Sequence, residues 1–172
     1  MLKLITTPLL LVIVIGCSLA FDTPHPSDES LIQNFQNHEA DFERLVRMAK
    51  EDSHVIRIAS DFTWTDKNAN WPRPESELGF STERWNEYRS LFKKLDLKVG
   101  ILNYQPDLVY LTVSTQGLLT GGSGKGYAYA LKEPSPMVES LDNVSFKGSE
   151  KSMNYAYRKL KDNWYLFYDV SR

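Results

Sequence analysis

The chain has very little cysteine and histidine, with one cysteine and three histidines among 172 residues. Because Cys17 stands alone, no intramolecular disulfide can form, and packing must stabilise the fold. The histidines, His25, His38 and His54, are spread along the chain without the spacing of a metal site or a catalytic triad. The sequence therefore excludes a disulfide framework, and we expect neither a metal nor a cofactor.

Positive charge is not concentrated anywhere in the chain. Lysine and arginine total 20 against 22 aspartates and glutamates, which gives a net charge of −2. Nucleic-acid binding needs a basic patch that neutralises phosphates, usually with aromatic residues between the basic ones. We find no such cluster and expect no nucleic-acid partner. The aromatic content of 12% also argues against a disordered chain.

Long hydrophobic runs are absent except at the start, where residues 9–15 are all apolar and lead to Gly16 and Cys17. This run is short against the roughly 20 residues that span a bilayer. It follows a single positive charge at Lys3 and closes on small residues, which is the layout of a signal peptide. Residues 1–16 are therefore predicted to be a signal peptide.

The residues Val14-Ile15-Gly16-Cys17 resemble the bacterial lipobox. That resemblance implies cleavage before Cys17, a diacylglycerol on its sulfur, and attachment to a membrane through this lipid. Ser18, in place of an aspartate, favours the periplasmic side of the outer membrane. Two alternatives remain open: cleavage after Ala20, which releases a soluble secreted or periplasmic protein, or retention of the leader as a membrane span.

Residues 17–26 are predicted to be the lipidated cysteine and a tether, because Pro24 and Pro26 favour an extended path. His25, between these prolines, is expected to be solvated. Residues 27–172 have the length of one ordinary domain. The sequence therefore predicts one domain held close to a bilayer.

Two amphipathic helices are predicted in this domain. The first begins at the capping residue Ser27 and runs to about Lys50, and the second begins at Ser81 or Thr82. Apolar residues recur along one face of each helix at spacings of three and four. They are Leu31, Phe35, Phe42 and Leu45 in the first helix, with His38 on the same stripe, and Trp85, Tyr88, Leu91, Phe92 and Leu95 in the second.

Alternating apolar residues predict strands in the rest of the domain. The predicted strands are residues 55–64, 98–102, 108–115 and 127–131, and a final hairpin of residues 155–160 and 164–170. Hairpin connections favour antiparallel pairing. The expected fold class is α+β, with an antiparallel sheet of about five to six strands and two amphipathic helices on one face.

Two loops are candidate binding surfaces. Trp71 and Arg73 lie among prolines in residues 65–80, and a stiffened loop with these residue types is typical of a recognition surface. Residues 120–126 are rich in glycine but match neither the P-loop nor the nucleophile elbow. We expect these glycines to reverse the chain in a loop or bulge, where backbone amides and Lys125 could hold an anion.

Several segments resemble those of a family of uncharacterised bacterial envelope proteins. They are Ser60-Asp-Phe-Thr-Trp64, Trp71-Pro-Arg-Pro-Glu75, Arg84-Trp-Asn-Glu-Tyr-Arg89, Gly121-Gly-Ser-Gly-Lys-Gly-Tyr-Ala-Tyr129 and Asn163-Trp-Tyr-Leu-Phe-Tyr168. The resemblance covers most of residues 55–170. It implies a type of domain and no particular activity.

The leading functional hypothesis is a non-catalytic envelope lipoprotein, a binding or accessory module that meets an envelope protein or cell-wall material. The alternative is a small cell-envelope hydrolase that uses Asp61, Glu75 or Ser123 as acid, base or nucleophile, since carboxylates beside aromatic residues suit sugar chemistry. A protein inhibitor of an envelope enzyme, acting through Trp71 and Arg73, is a third possibility.

Overall fold

The structure is a computed structural model that describes residues 24–65, 78–118, 121–146 and 154–171. The predicted signal peptide and Cys17 lie outside these residues, as do Trp71, Arg73 and Glu75. In the described ranges, no helix combines the length and the apolar character needed to cross a membrane.

Both predicted helices are present, and serines cap both. Helix α1 spans Asp28–Glu51, and the Oγ of Ser27 accepts a hydrogen bond from the backbone N–H of Ser30 at 3.2 Å. Helix α2 spans Thr82–Lys94 and is capped in the same way by Ser81. A serine in this position satisfies a donor that the first helical turn leaves free. The two serines therefore identify, in the sequence alone, where the helices begin.

In the described part of the chain, seven antiparallel strands form one sheet in the order β2-β1-β3-β4-β5-β7-β6. Their bounds are β1 Arg57–Ile58, β2 Thr63–Trp64, β3 Gly100–Gln105, β4 Leu108–Leu118, β5 Gly121–Ala130, β6 Asn154–Lys161 and β7 Trp164–Ser171. The predicted α+β class is confirmed, with one or two more strands than expected. The closing hairpin is also confirmed, and its strand β7 lies inside the sheet between β5 and β6.

The prediction of a single strand over residues 55–64 is wrong. The chain reverses there, because the backbone N–H of Ala59 donates to the carbonyl of Phe62 at 2.9 Å and closes a turn between β1 and β2. The adjacent residues Ile58 and Ala59 are both buried, which a strand with one buried face would not allow. Polar Ser60 and Asp61 lie exposed at the turn.

The prediction of a glycine-rich loop before residue 127 is also wrong. Gly121–Ala130 is a ten-residue strand, β5, which pairs with β4 on one side and with β7 on the other. Hydrogen bonds from both neighbours hold its backbone extended, so the low intrinsic preference of glycine for strands is overridden. The left-handed glycine of this hairpin is Gly117 of β4, with φ of 124°.

The main core lies between the helices and one face of the sheet. Tyr127 of β5 is fully buried there and donates its hydroxyl hydrogen to the carbonyl of Leu31 in α1 at 2.9 Å. The indole N–H of Trp164 in β7 donates to Glu43 of the same helix at 2.6 Å. Both helices therefore cover one face, as predicted. We call the opposite face of the sheet the open face.

Candidate functional site

The open face has a floor of very small residues along β5. Side chains alternate between the two faces of a strand, so the buried Tyr127 on the helix side places its even-numbered neighbours on the open face. These neighbours are Gly122, Gly124, Gly126, Ala128 and Ala130. No side chain larger than a methyl group therefore rises from this strand toward the open face.

Aromatic side chains stand around that floor. Phe167 and Tyr157 are 2% and 4% exposed although α1 and α2 lie on the other face of the sheet. Tyr110 lies edge-on to Phe167, with ring centroids 4.9 Å apart, and its hydroxyl is 2.6 Å from that of Tyr157. Tyr110 and Tyr157 belong to β4 and β6, which are three strand spacings or about 14 Å apart. Their rings therefore reach toward each other across the floor.

A cleft of about 800 Å³ opens between the aromatic rings and the Gly122 and Gly124 end of this floor. Its lining extends from Arg57 in β1 to Tyr155 in β6, and Pro134 and Ser135 contribute from the connection that follows β5. Small-molecule sites in proteins are typically concave, mostly aromatic or apolar, and about 300–1,000 Å³ in volume. The cleft has the size and surface of such a site.

Among the described residues that line the cleft, Asp169 of β7 carries the only carboxyl group. It lies between Gly124 on β5 and Tyr155 on β6 in the strand register. A Cβ atom added to Gly124 would come within 2.5 Å of Oδ1 of Asp169, so the carboxyl group rests against bare backbone. A side chain at residue 124 would displace it. The position of Asp169 therefore depends on glycine at that point of the floor.

The electrostatic state of Asp169 follows from this environment. Burial raises its pKa to about 6, and no hydrogen bond within the described residues offsets that burial. Burial also raises the pKa values of Tyr110, Tyr155 and Tyr157, and the negative charge of Asp169 adds to each increase. The cleft thus holds an uncompensated carboxylate next to three phenol hydroxyls at neutral pH.

Lys125 lies on the other face of β5, under the helices. It is 3% exposed, and its ammonium group lies 2.9 Å from Asp28 and 2.6 Å from Asp142. Arg158 also contacts Asp28, at 3.0 Å. Burial favours a higher pKa for Asp28, but Lys125 and the N–H of Leu141 hold it below its ordinary value. These ion pairs connect the start of α1 to β5 and β6. Lys125 does not line the cleft.

His25 is not a solvated linker residue. Its Nδ1 lies 2.7 Å from Oγ of Ser114, and its Nε2 lies 2.8 Å from Oγ of Ser123. The imidazole is half-buried and meets the ring of Tyr168 edge-on at 5.6 Å. Burial and the nearby charge of Lys125 lower its pKa, so the ring is neutral at pH 7. This histidine fastens the beginning of the domain to strands β4 and β5.

The remaining sequence candidates do not meet at one place. Asp61 lies exposed at the turn between β1 and β2, far in the sheet order from Asp169 in β7. Glu75, Trp71 and Arg73 lie outside the described residues, so the loop surface they would form stays a prediction. Within the described ranges, no group of three or more histidine, cysteine, aspartate or glutamate side chains is placed to hold a metal ion.

Sequence reasoning missed both Asp169 and the floor. The signal for the floor is the alternation of tiny residues from Gly122 to Ala130, which predicts a strand with one bare face. The signal for Asp169 is its place on the same side of β7 as Tyr165 and Phe167, where a carboxylate interrupts an apolar face.

No protein-family model matches the chain, and no curated protein or solved structure matches it either. The function must therefore be inferred from the geometry and chemistry of the chain itself.

Proposed function

We propose that this protein is a lipid-anchored envelope protein that binds a small molecule in the open-face cleft and does not transform it. The lipid anchor rests on the sequence around Cys17. The binding role rests on one observation, the aromatic cleft of about 800 Å³ with Asp169 against its glycine floor. An unpaired half-buried carboxylate lowers stability, and such costs are typical of sites that a ligand completes.

The cleft favours binding over sugar hydrolysis. Glycosidases need two carboxyl groups about 5–9.5 Å apart, one as acid and the other as base or nucleophile. Among the described residues that line the cleft, Asp169 is the only one with a carboxyl group. The two-carboxylate arrangement considered for a cell-wall hydrolase therefore has no counterpart in this part of the chain.

A nuclear magnetic resonance screen with a library of small fragments tests the binding role. We expect one or more fragments to shift the amide signals of Gly124 and Asp169 and to leave those of α1 unchanged. Thr115 is exposed and lies at the cleft in register with Gly124. A Thr115→Trp variant should fill the cleft and abolish these shifts, while the α1 signals report an intact fold. If fragments shift only signals outside the cleft, the proposed site is wrong.

A hydrolase with Ser123 as nucleophile is the second candidate function. The observation in its favour is the 2.8 Å contact between Ser123 Oγ and Nε2 of the neutral His25, with Nδ1 held by Ser114. A nucleophile, a base and a group that orients the base are the recurring parts of such sites. This contact equally serves to fasten His25 to the sheet.

A fluorophosphonate probe distinguishes these two roles of Ser123. In a hydrolase, Ser123 Oγ would bond to phosphorus, the P–F bond would break, fluoride would leave and His25 would take the hydroxyl proton. Labelling should then disappear in Ser123→Ala and persist in Ser114→Ala. Because we favour binding, we expect no labelling of the wild-type protein. Stoichiometric labelling at Ser123 would support the hydrolase instead.

A further inference from the structure

We infer that the ligand of the open-face cleft is an organic cation, an ammonium group carried on an apolar or aromatic body. This inference rests on the proposed binding function and names the chemical class of its ligand. It is carried by the position of Asp169 inside a cleft where glycine lies beside it and tyrosine rings line the same end.

The charges that face the cleft leave Asp169 without compensation. Arg57 is the only cationic residue among the described ones that line it, and four strand spacings, or about 19 Å, separate its strand from β7. Its guanidinium group already lies over the ring of Phe62 at 4.9 Å. The region around Asp169 therefore has a net negative charge that an ammonium group would neutralise.

Two lysines lie near the cleft but do not neutralise Asp169. Lys159 is on the open face, but its partner Tyr165 is four residues, or about 14 Å, along β7 from Asp169. Lys125 is close in sequence to Gly124, but it points to the helix side and is paired with Asp28 and Asp142. The missing positive charge must therefore come from outside the described residues, and a bound ligand can supply it.

The aromatic rings suit the same ligand. The face of an aromatic ring carries partial negative charge and attracts cations. The open face already holds one ammonium group in this way, because Nζ of Lys159 lies 4.2 Å from the ring centre of Tyr165 and donates to its hydroxyl at 2.8 Å. Tyr110 and Tyr155 line the cleft near Asp169 and are only half-buried, so the body of a ligand can stack on their rings.

An anion or an uncharged ligand fits less well. A carboxylate or phosphate group would be repelled by Asp169, and Arg57, the only cationic residue among the described ones that line the cleft, lies at its other end. An alcohol would satisfy one lone pair of the carboxylate, but the charge would remain buried. An ammonium group donates hydrogen bonds and compensates the charge together.

Three matched probes test this inference: phenethylamine, phenethyl alcohol and phenylacetate, which carry a cation, a neutral hydroxyl and an anion on one aromatic body. Binding is measured by calorimetry and by amide shifts at about pH 8, where both Asp169 and the amine are charged. We expect phenethylamine to bind at least about tenfold more tightly than the alcohol, because a charge-assisted hydrogen bond to Asp169 is stronger than a neutral one by about that factor. Phenylacetate should bind most weakly.

Two variants assign the preference to Asp169. Asp169→Asn should remove the advantage of the amine and leave the affinity for the alcohol within about twofold. Asp107→Asn, the control, removes an exposed carboxylate that pairs with Lys132 and should change neither affinity. Amide signals of α1 confirm that each variant folds.

The outcomes separate the ligand class from the binding function. If the alcohol binds in the cleft as tightly as the amine, the cationic ligand is wrong and the binding function stands. If the amine keeps its advantage in Asp169→Asn, the role of Asp169 is wrong. If none of the probes binds the cleft at millimolar concentration but other fragments do, the ligand class alone fails. If no fragment binds there, both proposals fail.

Discussion

Replacing Asp169 by asparagine should stabilise the protein at neutral pH. The folded protein binds a proton at Asp169 more tightly than the unfolded chain does, since burial raises the pKa of this carboxyl group from 3.8 to about 6. At a pH below the pKa of the unfolded state, the carboxyl group is protonated in both states, so its burial has no electrostatic cost in stability. The cost develops between these two pKa values and is complete above the folded one.

The size of the effect follows from the same shift. A shift of about two pKa units corresponds to at most about 3 kcal/mol, at about 1.4 kcal/mol per unit. Asp169 retains access to solvent, which screens its charge. We therefore expect the Asp169→Asn substitution to raise the free energy of unfolding by about 1–2 kcal/mol. Asparagine keeps the shape of the side chain and removes the charge.

Urea unfolding of wild-type and Asp169→Asn proteins between about pH 4 and pH 8 measures this gain. The variant should be close to the wild type at about pH 4, gain stability as the pH rises from about 4 to about 6, and stay about 1–2 kcal/mol more stable above about pH 6. Asp107→Asn serves as the control, because an exposed ion pair contributes only about 0–1 kcal/mol. The reasoning is wrong if Asp169→Asn is less stable than the wild type at neutral pH. It is also wrong if the difference in stability between the two proteins does not change with pH.

The remaining predictions concern the buried ion pairs, the floor and the anchor. Lys125→Met should lower the free energy of unfolding by about 3–5 kcal/mol in urea unfolding, because Asp28 and Asp142 lose a buried partner, whereas Lys132→Met at an exposed pair should cost less than about 1 kcal/mol. Gly126→Ala should cost about 1–3 kcal/mol, because its Cβ would meet the backbone carbonyl of Leu111; equal unfolding curves for wild type and variant would contradict this. Gly124→Ala should fold normally but bind the amine more weakly, because its Cβ displaces only the end of the Asp169 side chain. Intact mass spectrometry of the membrane-extracted protein should show a start at Cys17 with added acyl mass, which Cys17→Ala abolishes; a start at Phe21 without that mass would indicate a soluble protein.

The helices were predictable because their signals are local. Ser27 and Ser81 satisfy free amide donors within one turn, and the apolar stripe of each helix needs only the helical period to be recognised. His38, on the first stripe, remains at the boundary of the core, where it lies 3.8 Å from Asp41. Local chemistry therefore determined where the helices begin and which face they bury.

The strand β5 was not predictable in the same way, because its stability comes from its neighbours. Glycines from Gly121 to Gly126 favour a loop when they are considered alone. They form a strand because β4 and β7 bond both edges, and those strands lie on either side of β5 in the sequence. The short strands β1 and β2 resemble one strand in the sequence because the apolar residues Ile56, Ile58, Phe62 and Trp64 keep a period of two across the turn.

The candidate site was harder to predict than the fold. Trp71, Arg73 and Lys125 are candidates because residues of these types often bind ligands; of the three, the structure describes only Lys125, which it places in a buried ion pair. The surroundings of Asp169 are formed by Gly124 on one neighbouring strand and Tyr155 on the other. The register that brings these three residues together is a property of the whole sheet.

Titration of the Asp169 carboxyl carbon by nuclear magnetic resonance, with and without saturating phenethylamine, tests the account most directly. We predict a pKa of about 6 in the free protein and a lower pKa in the presence of the amine, because a bound ammonium group stabilises the ionised form. An ordinary aspartate pKa that the amine leaves unchanged would show that Asp169 neither carries an uncompensated, half-buried charge nor faces the ligand.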